Sequence, residues 1–438
     1  MSSQAHEPGT RPSRPADVGF YSWYVLALLT LGYLSNHIDR NILMILLEDI
    51  KTEFGVSDLM MGLLTGPAFA LFYTIAGIPI ARWADRGSRR LIVSVSTAVW
   101  SAFTALSGAA RSFLALAACR VGVGIGEAGG SPPSHSLISD YFPAALRAKA
   151  LGVYAAGTQA GSAFGWLTGG LLSGIIGWRG TFVVVGLPGI ALALLMRLTI
   201  REPRRGAMET ARTAVETLPF REALGFLIRN RTYLWLQFGG ALHAVSAYGL
   251  GVWVAPFLIR IHGLELPTIG MWLGFNSLFA GTFGMFLGGW VADRLTPRDP
   301  RWYLGVPAVS AVLTTPFTLL FLFLGDPTWA LICFVGHTIV GMGYSAPVYA
   351  VTQATVKVRA RSLAVAVHLF IVNLIGLGLG PVIIGGLNDA LHAGYGVGAI
   401  RYTMALAALT NLTACLFYWL ASRSVRADLA AMAEDAEA

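Results

Sequence analysis

The sequence predicts an all-α membrane protein of twelve transmembrane helices, arranged as two pseudo-symmetric six-helix bundles. Three observations predict it. Only 12% of the 438 residues are charged and 55% are hydrophobic, against ~25% charged in a typical soluble domain. Twelve apolar segments follow one another, each about long enough to cross the ~30 Å hydrocarbon layer as a helix. Short motifs and basic loops then recur in the second half at a nearly constant offset.

Residues 1–20 are polar, contain proline and lack an apolar core. They read as a disordered cytosolic tail rather than a signal peptide. The first bundle, 21–200, holds spans at 22–47, 58–81, 91–110, 113–139, 148–176 and 181–199. Residues 201–231 form the longest internal polar stretch and read as a cytosolic linker. Within it Pro219-Phe220, Ala223-Leu224 and Phe226-Leu227-Ile228 suit a short amphipathic helix at the membrane surface, with a plain linker as the alternative. The second bundle, 232–421, holds spans at 232–260, 268–292, 302–324, 329–355, 361–387 and 398–421. A cytosolic tail, 422–438, ends the chain.

The formal net charge is +8, but the basic residues sit in the loops, so they report topology rather than nucleic-acid binding. One set of loops carries Arg82, Arg86, Arg89 and Arg90, then Arg147 and Lys149, the arginines of 201–231, Arg294, Arg298 and Arg301, and Lys357, Arg359 and Arg361. The other set is poorer: Lys51, Arg111, Arg179, Arg260 and Arg401. The positive-inside rule places both termini in the cytosol, as expected of a multi-pass protein of a bacterial inner membrane. Cys119, Cys333 and Cys415 fall inside apolar spans without pairing, so neither a disulfide nor a metal site is expected.

The halves resemble each other. Ala84-Asp85-Arg86 follows the second span, and Ala292-Asp293-Arg294 follows the eighth, 208 positions on. Arg147-Ala148-Lys149 precedes the fifth span, and Arg359-Ala360-Arg361 precedes the eleventh, 212 positions on. Repeats of this kind place a substrate site between the halves near mid-membrane, with rocking between them as the transport motion.

Charges inside the spans mark where the chemistry lies. The fourth span carries Arg120 and Glu127 seven residues apart on one helical face, at a cost of at least ~2.5 kcal/mol each on lenient insertion scales. Glycines at 122, 124, 126, 129 and 130 permit close helix approach, and Pro132-Pro133 then interrupts the ladder. The first span carries Asn36, His37, Asp39 and Arg40. Asp39 lies ~13 Å below the outer end and Arg120 ~12 Å below it, at ~1.5 Å per residue, so the two are level. Asp39, Arg40, Arg120 and Glu127 are therefore expected to couple H⁺ to transport, with Asp39–Arg120 as the pair. A static bridge, or local neutralisation of Asp39 by Arg40 and His37, is the alternative. Asn36, His37 and Glu127 are candidate substrate contacts. The second half offers a less charged, more apolar wall, which suits the tail of an amphipathic substrate.

Segment 81–90, ARWADRGSRR, resembles the loop signature of the major facilitator superfamily between its second and third spans. Ala81 stands where that signature has glycine, and Gly87-Ser88 displaces the next one, while Asp85-Arg86 and Arg89-Arg90 match. By this resemblance Asp85, Arg86, Arg89, Arg90, Arg147, Asp293 and Arg294 would form a cytosolic gate. Asp85 at a helix end can accept charge-assisted hydrogen bonds from the Arg147/Lys149 segment. RVGVGIGEA at 120–128, NHIDR at 36–40 and REPRRG at 201–206 are similar to the spinster-like branch of that superfamily. The resemblance covers 21–205 by motif order and is architectural beyond. It implies a lysolipid or sphingolipid transporter, with bacterial members as proton-coupled exporters of amphipathic compounds. It also implies that spans one, four, seven and ten line the cavity, which selects His243, Tyr248 and Tyr344 as substrate contacts, with Phe275 or Trp253 suited to an acyl chain.

The resulting expectation is a proton-coupled secondary transporter of an amphipathic small molecule, working by alternating access as a monomer among membrane lipids. It needs H⁺ as coupling ion and no other cofactor. The alternative is an organic-anion or sugar-phosphate carrier, which would want inward cations from both halves. A channel is disfavoured by the repeat and the buried ionisable residues. An integral-membrane lipid enzyme would need a nucleophile and base. Ser134-His135-Ser136 with Asp140 suggests one, but adjacent residues diverge on a helix, so no enzyme is expected.

Overall fold

The chain crosses between two faces twelve times, and its breaks fall where residue chemistry requires them. The structure, a computed structural model, describes residues 19–208 and 219–437, with Asp85 and 435–437 as backbone only. The expected tail 1–20 thus lies almost wholly outside the described residues, as does 209–218 of the linker.

Span 1 is Phe20–Ile45, continued as Leu47–Phe54 and closed by Gly55 at φ 61°. Span 2 is Asp58–Thr65 and Pro67–Arg86, capped by the Ser57 hydroxyl, which accepts the Met60 N–H. Span 3 is Arg89–Ser107 and span 4 is Phe113–Glu127 followed by Ser131–Tyr141. Ser88 and Ser112 cap spans 3 and 4 in the same way, each cap being worth ~1 kcal/mol. Spans 5 and 6 share the run Ala144–Thr199, which turns at Gly177, φ 67° and ψ 170°. That conformation is open to glycine and strained for any residue with a Cβ. A linker helix, Phe220–Arg229, precedes span 7, Arg231–His262. It buries Ala223 and Leu227 and exposes Phe220 and Ile228.

Span 8 is Leu266–Phe275 and Thr282–Leu295, joined by a π-helical turn at Asn276–Gly281. Span 9 is Trp302–Phe323, and span 10 is Pro327–Met342 with Ser345–Ala354. Span 11 is Arg361–Ile371 and Gly378–Tyr395 around a second π turn, Val372–Leu377. Span 12, Ala399–Glu437, runs on past the expected limit at 421. Its extension is held by Arg426 to Asp299 at 2.8 Å and by Asp428, which accepts the Thr232 N–H at 3.3 Å.

The bundles meet along two glycine-lined seams. A Cβ on Gly170 of span 5 would lie 2.5 Å from the Leu266 carbonyl oxygen of span 8, and one on Gly66 of span 2 would lie 2.5 Å from that of Gly378 in span 11. Small residues let backbones touch where apolar driving force between helices is weak. Both seams fall on the two spans that carry π turns, a local geometry concentrated at functional sites.

The distribution of apolar cores shows how the bundles sit. We call the face of the arginine-rich loops the basic face. Toward the opposite face one core joins both bundles, with Ile42, Ile50, Met61 and Leu64 packing with Leu250, Trp253, Phe257 and Ile384. Toward the basic face the cores are separate. One holds Val25, Leu29, Leu137 and Met196, the other Leu236, Leu304, Val351 and Tyr418. The bundles therefore close on the opposite face and part toward the basic one.

Candidate functional site at the bundle interface

Span 1 presents two polar faces. Asn36 and Asp39 are buried inside the first bundle, while Tyr33, His37 and Arg40 are half-buried at its inner edge. Across from them span 4 brings Arg120 and Glu127. A Cβ on Gly124 would lie 2.8 Å from the Phe69 carbonyl oxygen of span 2, so glycine there lets span 4 seat against span 2. The helix breaks directly after Glu127, and Ser134 donates to the freed Gly130 carbonyl at 2.7 Å.

The four expected coupling residues do come together, but the pairing differs from the depth argument. Arg40 Nε donates to Glu127 Oε2 at 2.7 Å. Asp39 is 0% exposed, and neither of its oxygens makes a formed hydrogen bond among the described residues, although the Thr104 hydroxyl of span 3 faces them. Nε and Nη1 of Arg120 also lack partners. Glu127 lies within electrostatic range of Asp39, Arg40 and Arg120. Both guanidinium groups rest over the Phe69 ring, at 4.7 Å for Arg40 and 5.5 Å for Arg120. Two carboxyls and two guanidiniums thus share one site, and only one carboxyl is hydrogen-bonded to a guanidinium.

Arg40 also faces a group of tyrosines. Tyr73 lies 5.2 Å below its guanidinium, with Tyr248 in electrostatic range. Tyr248 in turn neighbours Tyr344 and Tyr349 of span 10. His37 abuts Tyr33 at 4.7 Å, and His243 lies against Tyr344 at 4.0 Å between centroids. Aromatic and imidazole rings therefore cross from one bundle to the other. Tyr33, Phe69 and Tyr73 were missed in the sequence. The one signal was spacing, since 33, 37 and 40, and likewise 69 and 73, recur at helical intervals. Trp253, offered as an acyl contact, is instead fully buried and donates to the Pro381 carbonyl at 3.0 Å.

At the basic face the expected gate residues make contacts within the first bundle. Arg89 is buried and pairs with Asp140 and, at 2.9 Å, with Glu202. Arg90 donates to the Ile200 carbonyl at 3.1 Å, and Arg147 to that of Ser139 at 2.9 Å. These contacts tie span 3 to span 4 and to the segment after span 6, and span 5 to span 4, and do not bridge the bundles. Arg86, Asp293 and Arg294 are exposed, and the Asp85 side chain lies outside the described residues. Asp140 is thus committed to Arg89 and the Gly206 N–H, while His135 packs on Tyr154, so the Ser-His-Asp grouping does not assemble.

Partial burial raises the Glu202 pKa, but hydrogen bonds from the Arg90 N–H, Ser88 and Arg89 outweigh it and hold the carboxyl below its ordinary value. Its stabilisation is therefore fully present above the unfolded value of ~4.3 and lost as pH falls through the lowered folded value. Glu202→Gln is expected to melt earlier than the parent at neutral pH. The gap should close as pH is taken below ~4, which thermal unfolding across pH would measure.

A second ionic cluster seals the opposite face. Arg260 of span 7 donates to Asp58 at 2.5 and 2.8 Å and to Glu48 at 2.7 Å. Lys51 pairs with Asp58 at 2.5 Å, and Asn388 of span 11 donates to it at 3.0 Å. Asp389 accepts the Asp58 and Leu59 N–H groups at 3.0 and 2.8 Å, capping span 2 from the other bundle. Of these residues the sequence singles out only Lys51 and Arg260, as loop charges, because their partners meet only in the fold.

Twelve spans in two bundles around a shared polar site, closed at one face, define the architecture of a membrane transporter. The sequence model of the Major Facilitator Superfamily matches residues 29–377. An MFS-type efflux pump of Mycolicibacterium smegmatis is 32% identical over 93% of this chain and 94% of its own. Protein spinster of Drosophila melanogaster is 27% identical over 87% of this chain and 64% of its own. The crystal structure of a bacterial homolog to the human lysosomal transporter Spinster, inward-facing and unoccupied, superposes with a TM-score of 0.86 at 35% identity, covering 93% of this chain and 98% of that one. The chain belongs to the Major Facilitator Superfamily, as a transporter of the spinster type.

Proposed function

We propose that the protein is a proton-coupled secondary transporter that moves an amphipathic small molecule, of lysophospholipid or sphingolipid type or a hydrophobic drug, by alternating access. The observation that carries this reading is the buried Asp39 carboxyl, without a formed hydrogen bond, beside the Arg40–Glu127 pair. The proton occupancy of such a group responds to any neighbour that approaches or leaves, so it links H⁺ binding to which way the bundles face. The Tyr- and His-lined interface suits a polar head near Arg40 with an apolar tail along the second bundle. The likeness to an efflux pump supports export.

On this reading the basic face is cytosolic, by the positive-inside rule. The protein works as a monomer in a bacterial inner membrane, uses H⁺ and no other cofactor, and stands here inward-open. The test is transport in proteoliposomes under an imposed pH gradient, comparing lysophosphatidylcholine with glycerophosphocholine, which lacks the tail. Movement of the tailed compound with H⁺ and at least tenfold slower movement of the head group is expected. Equal rates, or rates indifferent to the gradient, would overturn the reading.

A further inference from the structure

Span 8 carries an aromatic ridge that the transport site does not use. Phe275, Phe279, Phe283, Phe286 and Trp290 recur at intervals of three and four residues, and each is more than half exposed. The other side of the helix is fully occupied. Cβ atoms on Gly284 and Gly288 would lie 2.2 and 2.0 Å from the Ile339 and Gly343 carbonyl oxygens of span 10, and one on Gly274 would lie 3.0 Å from that of Ala163 in span 5. The ridge therefore points away from both packed neighbours. From Trp290 to Phe279 it runs ~16 Å at 1.5 Å per residue, close to one ~15 Å leaflet of hydrocarbon.

Charge stands at the end of that ridge. The Arg294 guanidinium lies 4.8 Å from the Trp290 ring centre. Arg298 follows in the turn beyond the helix end, and an open groove of about 520 Å³ is lined by Trp290, Val291, Arg294, Leu295 and Arg298. Among the described residues neither arginine has a carboxylate partner. The adjacent acid, Asp299, is taken by Arg426 at 2.8 Å and by the Arg301 N–H at 2.9 Å. The helix ends at Leu295, and the turn after it keeps Arg298 on the same groove as Arg294; guanidinium forks match phosphate oxygens in pairs. Tryptophan and arginine at a helix end mark the headgroup level.

We propose that this face binds an anionic glycerophospholipid of the inner leaflet, with its phosphate on Arg294 and Arg298, its glycerol region against Trp290 and an acyl chain along Phe286, Phe283 and Phe279. The inference rests on the inner-leaflet placement of the basic face proposed above. It assigns Arg294 to lipid rather than to a gate. A lipid held here would brace the moving end of the span that carries the Asn276–Gly281 π turn.

The test is native mass spectrometry of the full-length protein after delipidation and titration with phosphatidylglycerol, phosphatidylcholine or inorganic phosphate. The parent should retain phosphatidylglycerol at least tenfold better than phosphatidylcholine. The double variant Arg294→Gln/Arg298→Gln should lose that preference, and Arg294→Lys/Arg298→Lys should recover part of it. Both changes are on the surface, and matching melting curves without added lipid verify the fold. Undiminished phosphatidylglycerol retention in the glutamine variant would overturn the proposal, as would competition by inorganic phosphate at equal concentration. Retention is read in detergent without a gradient, so a negative result here leaves the transport reading untouched.

Discussion

Asp39→Asn is expected to abolish gradient-driven transport while leaving the protein folded. The carboxyl is buried inside the first bundle and makes no formed hydrogen bond among the described residues. Replacing it with a near-isosteric amide removes a titratable group without opening a cavity, and substitutions that keep volume are the best tolerated in cores. Melting should therefore move little. Transport driven by a pH gradient should fall at least tenfold, while exchange of substrate for substrate persists. Proteoliposome uptake with and without the gradient separates the two modes. Full gradient dependence in the variant would remove Asp39 from the mechanism.

Arg260→Ala is expected to unlock the opposite face. Arg260 joins Glu48 and Asp58 across the bundles, and its loss leaves both carboxylates without their main cation. Breaking one side of a buried pair costs ~3–5 kcal/mol. Lys51 still faces Asp58 at 2.5 Å, and the Arg260 side chain keeps 12% of its exposure, so screening reduces the effect. We set the expected shift at ~2 kcal/mol, about thirtyfold in the balance between closed and open. Met61→Cys, buried one turn below Asp58, reports it in a background lacking Cys119, Cys333 and Cys415. Alkylation by an impermeant maleimide from the outer side should accelerate by that factor. An unchanged rate would show that the apolar core, rather than the ions, holds the face shut.

Much of this architecture was legible in the chain. Hydropathy and loop charge located the start of each span to within a few residues, because both follow from the solvent change at a membrane, while the helices of spans 11 and 12 run on to Tyr395 and Glu437, past the expected ends at 387 and 421. The functional charges were legible too, since an ionisable group in an apolar span stands out. Their pairing was not. Depth along a helix is one coordinate, and Asp39 and Arg40 differ mainly in rotation about span 1, which depth leaves open. The structure turns Arg40 toward Glu127 and Asp39 inward. The seal made by Glu48, Asp58, Arg260 and Asp389 was hidden for another reason. Each sits at a helix end, where a charge is ordinary, and only the packing of span 2 on span 11 and span 1 near span 7 brings them together. The break at Gly66 and the two π turns left little trace in periodicity, whereas Pro132-Pro133 signalled the break at 128–130.

The account turns on proton occupancy of the span 1–span 4 cluster selecting which face is open. Spin labels at Arg111→Cys and Glu265→Cys, exposed on the opposite face in different bundles, measure that directly by electron–electron distance as pH is varied. The parent should exchange a short distance for a longer one with pH, and Asp39→Asn should hold one distribution throughout. The same pH response in both proteins would contradict the account.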